Sequence, residues 1–181
     1  MFAGSLFAQQ HLSFKGVPID GTLKSYTDAM VKAGFHYEGT QDGIAFLSGD
    51  FAGYKGCGIG ITTLNNCDVV SRIAVFFPEK ETWSEVLGDY NHLKDMLTEK
   101  YGTPSDSQEK FTNHIGNCDN SYVMRELEAG EYVWYTTFTA ELGDILLFIT
   151  SGSGYHTAYV CLFYTDKANS EKVRNAAMDD L

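Results

Sequence analysis

The sequence predicts an α+β fold: an antiparallel sheet with helices on one face, built as two tandem helix-then-strands units. Three observations carry that expectation. Two amphipathic helical patterns each precede a series of short strand-like runs, Gly-, Asn- and Ser-rich turns separate the runs, and the chain is apolar enough to fill a core. Its 181 residues are 44% hydrophobic and include 12 Phe and 11 Tyr, a composition of a folding chain rather than a disordered one. We place a single α+β domain over residues 9–181, with units at about 14–77 and 78–166 and a short C-terminal helix.

In the first unit, Asp20 or Thr22 caps a helix whose apolar positions Leu23, Tyr26, Met30 and Val31 recur at helical spacing. Gly34 supplies the left-handed residue that ends it, and Phe35 folds back on Met30. Strands are expected over 44–47, 56–63 and 69–77, with Leu64-Asn65-Asn66 as a hairpin turn. In the middle strand Cys57, Ile59 and Ile61 alternate with Gly58, Gly60 and Thr62, so one face is apolar and the other nearly bare. A bare face accommodates a close neighbour or marks a bulge.

The second unit opens with a capping box, Thr82-Trp83-Ser84-Glu85, ahead of the stripe Trp83, Val86, Leu87, Tyr90, Leu93 and Leu97. Gly102 and Pro104 stop this helix. After a polar stretch over 103–120, strands are expected at 121–127, 131–140, 145–150 and 157–164, with turn chemistry at 128–130, 141–144 and 151–154. A polar helix over about 170–178 ends the chain. The expected order is helix, three strands, helix, four strands.

With 13 Lys+Arg against 24 Asp+Glu the net charge is −11, and no basic run tracks phosphates, so nucleic acid and anionic membrane surfaces are excluded as partners. No segment reaches the roughly 18 to 20 apolar residues of a membrane-spanning helix, so no membrane insertion is expected. Met1 to Gln10 reads as the back half of a secretory signal peptide, with residues 1–8 removed after Ala8 and the protein periplasmic or secreted. In such a compartment the four Cys are compatible with disulfides, in any of three connectivities. Cys67 and Cys118, each in an Asn-Cys-Asp string, are the favoured bridge; Cys57 and Cys161 lie in strand-like runs and read as buried thiols.

Several strings carry a resemblance: Phe14-Lys15-Gly16-Val17-Pro18-Ile19-Asp20-Gly21, Gly34-Phe35, Gly49-Asp50-Phe51-Ala52-Gly53-Tyr54, and Trp83 with Tyr90, Leu93 and Lys100-Tyr101-Gly102-Thr103-Pro104. Over about residues 14–166 they resemble a group of small exported proteins of Bacteroides-type gut bacteria. The resemblance implies export and brings no catalytic or ligand-binding residues with it. The twice-repeated helix-plus-sheet order is also similar to the tandem architecture of β-lactamase inhibitory protein and related envelope-lipoprotein folds, a likeness of topology that confers no function.

Candidate chemistry is sparse. His114 and Cys118, with Asp119 beside them, are residue types that bind zinc, but two ligands without a second cluster make no site, and neither a metal nor another cofactor is expected. A Cys–His nucleophilic pair has no local signature here. Asp89, His92 and Asp95 read as a solvated helix face, and Glu126, Glu128, Glu131 and Glu141 lie mainly at turns, without the cleft that glycoside hydrolysis needs. The Gly56 to Gly60 run has neither a following helix nor the Lys-Ser/Thr of a phosphate loop. The protein is therefore expected not to be an enzyme.

The remaining signal is aromatic. Tyr132, Trp134, Tyr135, Tyr155 and Tyr159 put large rings on both faces of expected strands, more than a half-buried sheet requires. Tyr132 and Trp134 share one face while Val133 and Tyr135 take the other, and helices on one side can cover only one of them. The favoured reading is an exported binding module whose sheet face takes a protein or glycan of the cell envelope. A structural or accessory envelope protein, and an enzyme with a site invisible in the sequence, are the alternatives.

Overall fold

The chain reaches its first helix through a hairpin that its sequence pattern does not announce. Lys15 and Gly16, both at positive φ, turn β1 (Ser13–Phe14) back along β2 (Val17–Pro18). The hairpin presents Phe14 to the rings of Phe35, Phe51 and Tyr164, which bury it. The structure, a computed structural model, describes residues 10–63, 68–112 and 119–178.

Thr22, not Asp20, caps α1 (Leu23–Lys32): its Oγ1 accepts the Ser25 N–H at 3.1 Å, while Asp20 receives the Asn169 side chain. Asp68 takes the Leu23 N–H at 2.9 Å, satisfying another amide at this end. At the other end Gly34, at φ 102°, lets the Gly34 and Phe35 N–H groups reach the carbonyls of Val31 and Met30, the paired closure of a Schellman turn. Phe35 then turns inward onto Gly49, where a Cβ would stand 2.6 Å from its ring.

Four antiparallel strands follow: β3 (His36–Gln41), β4 (Ile44–Phe51), β5 (Tyr54–Thr63) and β6 (Val70–Phe76). The sequence pattern predicts only three of them, because β3, an edge strand with no buried residue, shows no apolar alternation. The expected turn at Leu64-Asn65-Asn66 lies outside the described residues.

The second half begins at α2 (Trp83–Tyr101), where Thr82 Oγ1 accepts the Glu85 N–H at 3.3 Å and donates to the Glu85 carboxylate at 2.6 Å. Val86, Tyr90, Leu93 and Leu97 are its buried stripe. Two corrections follow. The polar stretch after Pro104 contains a strand, β7 (Asp106–Phe111), and residues 121–127 form a helix rather than a strand, within α3 (Asn120–Glu128). Asp119 caps α3 by accepting the Tyr122 N–H, and Val123, Met124 and Leu127 fall on one helical face. Asn120 docks α3 to α2 by accepting the Trp83 N–H at 2.7 Å and donating to the Glu81 carbonyl at 3.2 Å. Strands β8 (Tyr132–Ala140), β9 (Gly143–Ser151) and β10 (Ala158–Asp166) complete the sheet, and α4 (Lys167–Met178) ends the fold. Each half therefore gives four strands to one antiparallel sheet, in the order β3-β4-β5-β6-β10-β9-β8-β7.

The halves meet where β6 pairs with β10. Helix α1 packs over β3, β4 and β5, α2 over β8, β9 and β10, and α3 against both α2 and β9. Between this layer and the sheet lies one core, which takes Ile59, Ile61, Ile73, Val75, Leu147 and Leu162 from alternate strand positions. At the end of β6 and β10, buried Asp166 accepts the N–H groups of Leu12 and Asn169, each at 2.8 Å, and sits 3.1 Å from His11 Nδ1. Asn169 spreads its amide over the Ile19 and Val70 carbonyls, so the start of the chain and α4 are bound together. Among the described residues no helix is long and apolar enough to cross a membrane.

Candidate binding surface

The strand register fixes which side chains share the face away from the helices. One row across all eight strands reads His36, Ser48, Gly58, Phe76, Cys161, Phe148, Tyr135 and Gln108. The next row on the same face reads Gly39, Phe46, Gly60, Ala74, Phe163, Leu146, Thr137 and Asp106. Ala74 and Cys161, though buried, fall outside the core cluster because they belong to this side.

Between the polar ends of these rows, Phe46, Ala74, Phe76, Leu146, Phe148, Phe163 and Tyr135 make an apolar strip. Phe148 and Phe163 meet edge to face at 5.0 Å, Phe76 lies 6.5 Å from Tyr159, and Arg72 stands over Phe163 at 5.7 Å. The bare positions Gly58 and Gly60 are where Phe76 rests: a Cβ on Gly60 would touch Phe76 at 3.4 Å and Ala74 at 3.6 Å. Val133, Tyr135, Leu146, Phe148 and Phe163 line a shallow depression of about 580 Å³. Beyond the strip, the row Thr62, Arg72, Thr165, Asp144 and Thr139 is polar, with Arg72 Nε donating to Thr165 at 3.2 Å. The face thus has an apolar centre and a polar margin.

The residues singled out from the sequence divide by face. Tyr135 is on the open side, its hydroxyl donating to Asp106 at 2.7 Å, and Tyr159 joins it there beside Phe76. Tyr132 and Trp134 are on the helix side, where Trp134 packs edge to face on Trp83 at 4.8 Å and lies 5.4 Å from Phe111. Tyr155 is 85% exposed in the β9–β10 connection, stacked on His156. Glu79 holds that connection: it accepts the Ser153 N–H at 3.0 Å and the hydroxyls of Ser153 and Thr157 at 2.9 and 2.7 Å. These bonds, the Ser153 amide foremost, hold its carboxyl down at about 2.

Phe46, Phe76, Leu146, Phe148 and Phe163 were missed. For Leu146, Phe148 and Phe163 the signal was the runs Ile145 to Ile149 and Tyr159 to Tyr164, apolar at both parities in a sheet with helices on one side.

Cys57 and Cys161 are free and point to opposite faces, and burial pushes the Cys161 thiol up to about 12, leaving it protonated and unreactive. The favoured bridge, Cys67 to Cys118, and the His114 cluster lie outside the described residues. Among the described residues, no three His, Cys, Asp or Glu side chains converge to hold a metal ion. Asp89 pairs with Lys80 at 3.5 Å and His92 sits by the Tyr54 ring, so α2 presents no acid–base pair there. No family model, curated protein or solved structure matches the chain.

Proposed function

We propose that this chain is an exported binding module of the cell envelope or exterior, and that the open face of its sheet takes a protein partner. The observation that carries the reading is the aromatic strip itself. Phe46, Phe76, Phe148, Phe163 and Tyr135 share a face over which no described helix packs, and Phe46 is 39% exposed. Apolar surface of this extent, edged by polar residues, is kept where association covers it. Phe side chains dominate the strip and few hydrogen-bonding groups reach its centre, which favours a protein over a glycan. Export rests on the composition of Met1 to Ala8 and on the resemblance to small exported proteins.

The test is a pair of variants on one strand. Tyr135→Ala removes an open-face ring, and Trp134→Ala removes a ring packed on Trp83. Retention of envelope proteins on the immobilised chain, compared with retention on a glycan array, is expected to fall at least tenfold for Tyr135→Ala with little change in melting temperature. Trp134→Ala is expected to lower the melting temperature first. Equal retention by wild type and Tyr135→Ala defeats the reading, and capture of glycans alone replaces the partner class.

A further inference from the structure

The N-terminal edge of the sheet carries a second, separate feature. Among the described residues strand β3 is unpaired on its outer side, and α1 runs over it, leaving a groove of about 730 Å³ between helix and strand. Leu23, Thr27 and Val31, spaced four apart on α1, form one wall, and Tyr37 and Thr40 of β3 form the other. Val31 and Tyr37 are 44% and 45% exposed, unusual for apolar side chains of this size. Thr27, 8% exposed in the groove wall, has its Oγ1 buried without a partner among the described residues. A buried hydroxyl costs free energy until something bonds it.

Lys24, Asp28 and Lys32 of α1, with Asp68, make the charged margin of the groove, and the backbone of β3 adds polar groups of its own. Asp42 and Gly43, at φ 51° and 77°, make a two-residue turn, so Gln41 and Ile44 exchange both hydrogen bonds and the next pair, Thr40 and Ala45, exchanges none. The N–H and C=O of Thr40 therefore point out of the sheet edge, beside the groove. The opposite edge, β7, is guarded by Asp106, Glu109 and Lys110 within six residues, whereas β3 has Glu38 as its one carboxylate or ammonium.

We propose that β3 and α1 form a peptide-binding site that adds an extended segment of a partner as a ninth strand. Its backbone pairs with Thr40, and every second side chain, β-branched or aromatic, enters the groove between Val31, Thr27 and Tyr37. This site is independent of the open face.

The experiment pans the immobilised 181-residue chain against phage-displayed, unconstrained nine-residue peptides, then titrates the selected sequences as fluorescein-labelled synthetic peptides by anisotropy. Selected peptides are expected to carry Val, Ile, Tyr or Phe at alternate positions. Methylating their backbone nitrogens one at a time should weaken binding tenfold or more at every second position only. Val31→Asp, at an exposed site, and Thr40→Pro, which deletes an outward N–H on an edge strand, should each weaken binding tenfold with unchanged urea midpoints, while Tyr135→Ala leaves it intact. The proposal is overturned if no peptide is enriched, if the methylation scan lacks the two-residue period, or if both groove variants bind as wild type. A concentration-dependent dimer that Thr40→Pro dissolves also overturns it, since the occupant of the edge is then a second copy of the chain.

Discussion

Tyr26 under α1 and Tyr90 under α2 are both buried against the sheet, and they show how differently the two halves are finished. Among the described residues the Tyr26 hydroxyl has only the Val17 carbonyl, 3.5 Å away. The Tyr90 hydroxyl bonds Thr136 at 2.6 Å and Glu109 at 3.1 Å, and Glu109 also takes Lys94 and Ser107. Burial pushes both phenols above their usual range. In the second half the helix is wired to the edge strand β7 by this network. In the first half, α1 and β3 leave the groove between them, with Leu23, Val31 and Tyr37 set among charged side chains. One layout thus gives an edge locked by polar bonds and an edge left open.

The same contrast runs across the open face, where the first half has Gly58 and Gly60 in the rows that the second half fills with Phe148 and Leu146. The largest effect that sharpens it is expected from alanine at two glycines. At Gly143 a Cβ would stand 2.2 Å from the Thr165 carbonyl oxygen, so the β9–β10 backbone must move, and Gly143→Ala is expected to cost about 3 kcal/mol by urea denaturation. At Gly58 the nearest atom is Phe76 Cβ at 3.6 Å, an ordinary contact, and Gly58→Ala is expected to change stability by less than about 1 kcal/mol. Equal losses at the two sites would mean that the halves are packed alike.

Next in size are the phenols. Tyr90→Phe takes one hydrogen bond from buried Thr136, which keeps Ser107 and Glu109, and one from the Glu109 carboxylate, and is expected to cost about 1 to 2 kcal/mol, with faster amide exchange along β7. Tyr26→Phe is expected to cost less than about 0.5 kcal/mol. A reversal of that order would place the polar wiring in the wrong half.

Why some of this was legible in the sequence and some not follows from where each element buries its side chains. Helices α1 and α2 announce themselves through Thr22, Gly34, the Thr82 box and their apolar stripes, because both cap the core directly. Strand β7 is nearly all polar because its helix-side residues Ser107 and Glu109 enter the Tyr90 network rather than the core. Residues 121–127 fit either period: Tyr122, Met124 and Glu126 alternate, while Val123, Met124 and Leu127 stripe, and the Asp119 cap with the docking of Asn120 on α2 decides for a helix. The aromatic excess was visible, but its division into a packed ring, Trp134, and an open one, Tyr135, needed the side on which the helices lie.

The smallest expected effect concerns acid. Glu79 holds the β9–β10 connection as a carboxylate at about 2, against an ordinary 4.5, so its contribution is complete above pH 4.5 and is lost as pH falls toward 2. Amide exchange at residues 152–157 should therefore accelerate over that interval in wild type. Glu79→Gln should show the faster exchange already at neutral pH. A 152–157 segment insensitive to both changes would remove the clamp from the second half.

The seam between β6 and β10, with its Asp166 clasp, has a consequence for synthesis. Phe76 must wait for Cys161, and the bond from His11 to Asp166 spans 155 positions of the chain. A ribosome releases β6, which ends at Phe76, well before β10 begins at Ala158, so the first half spends that interval with the inner edge of its sheet unpaired. Closure of loops this long is slow, and the last strand to emerge is the one that completes the centre. Completion of the sheet therefore waits on the arrival of β10 rather than on the early formation of α1.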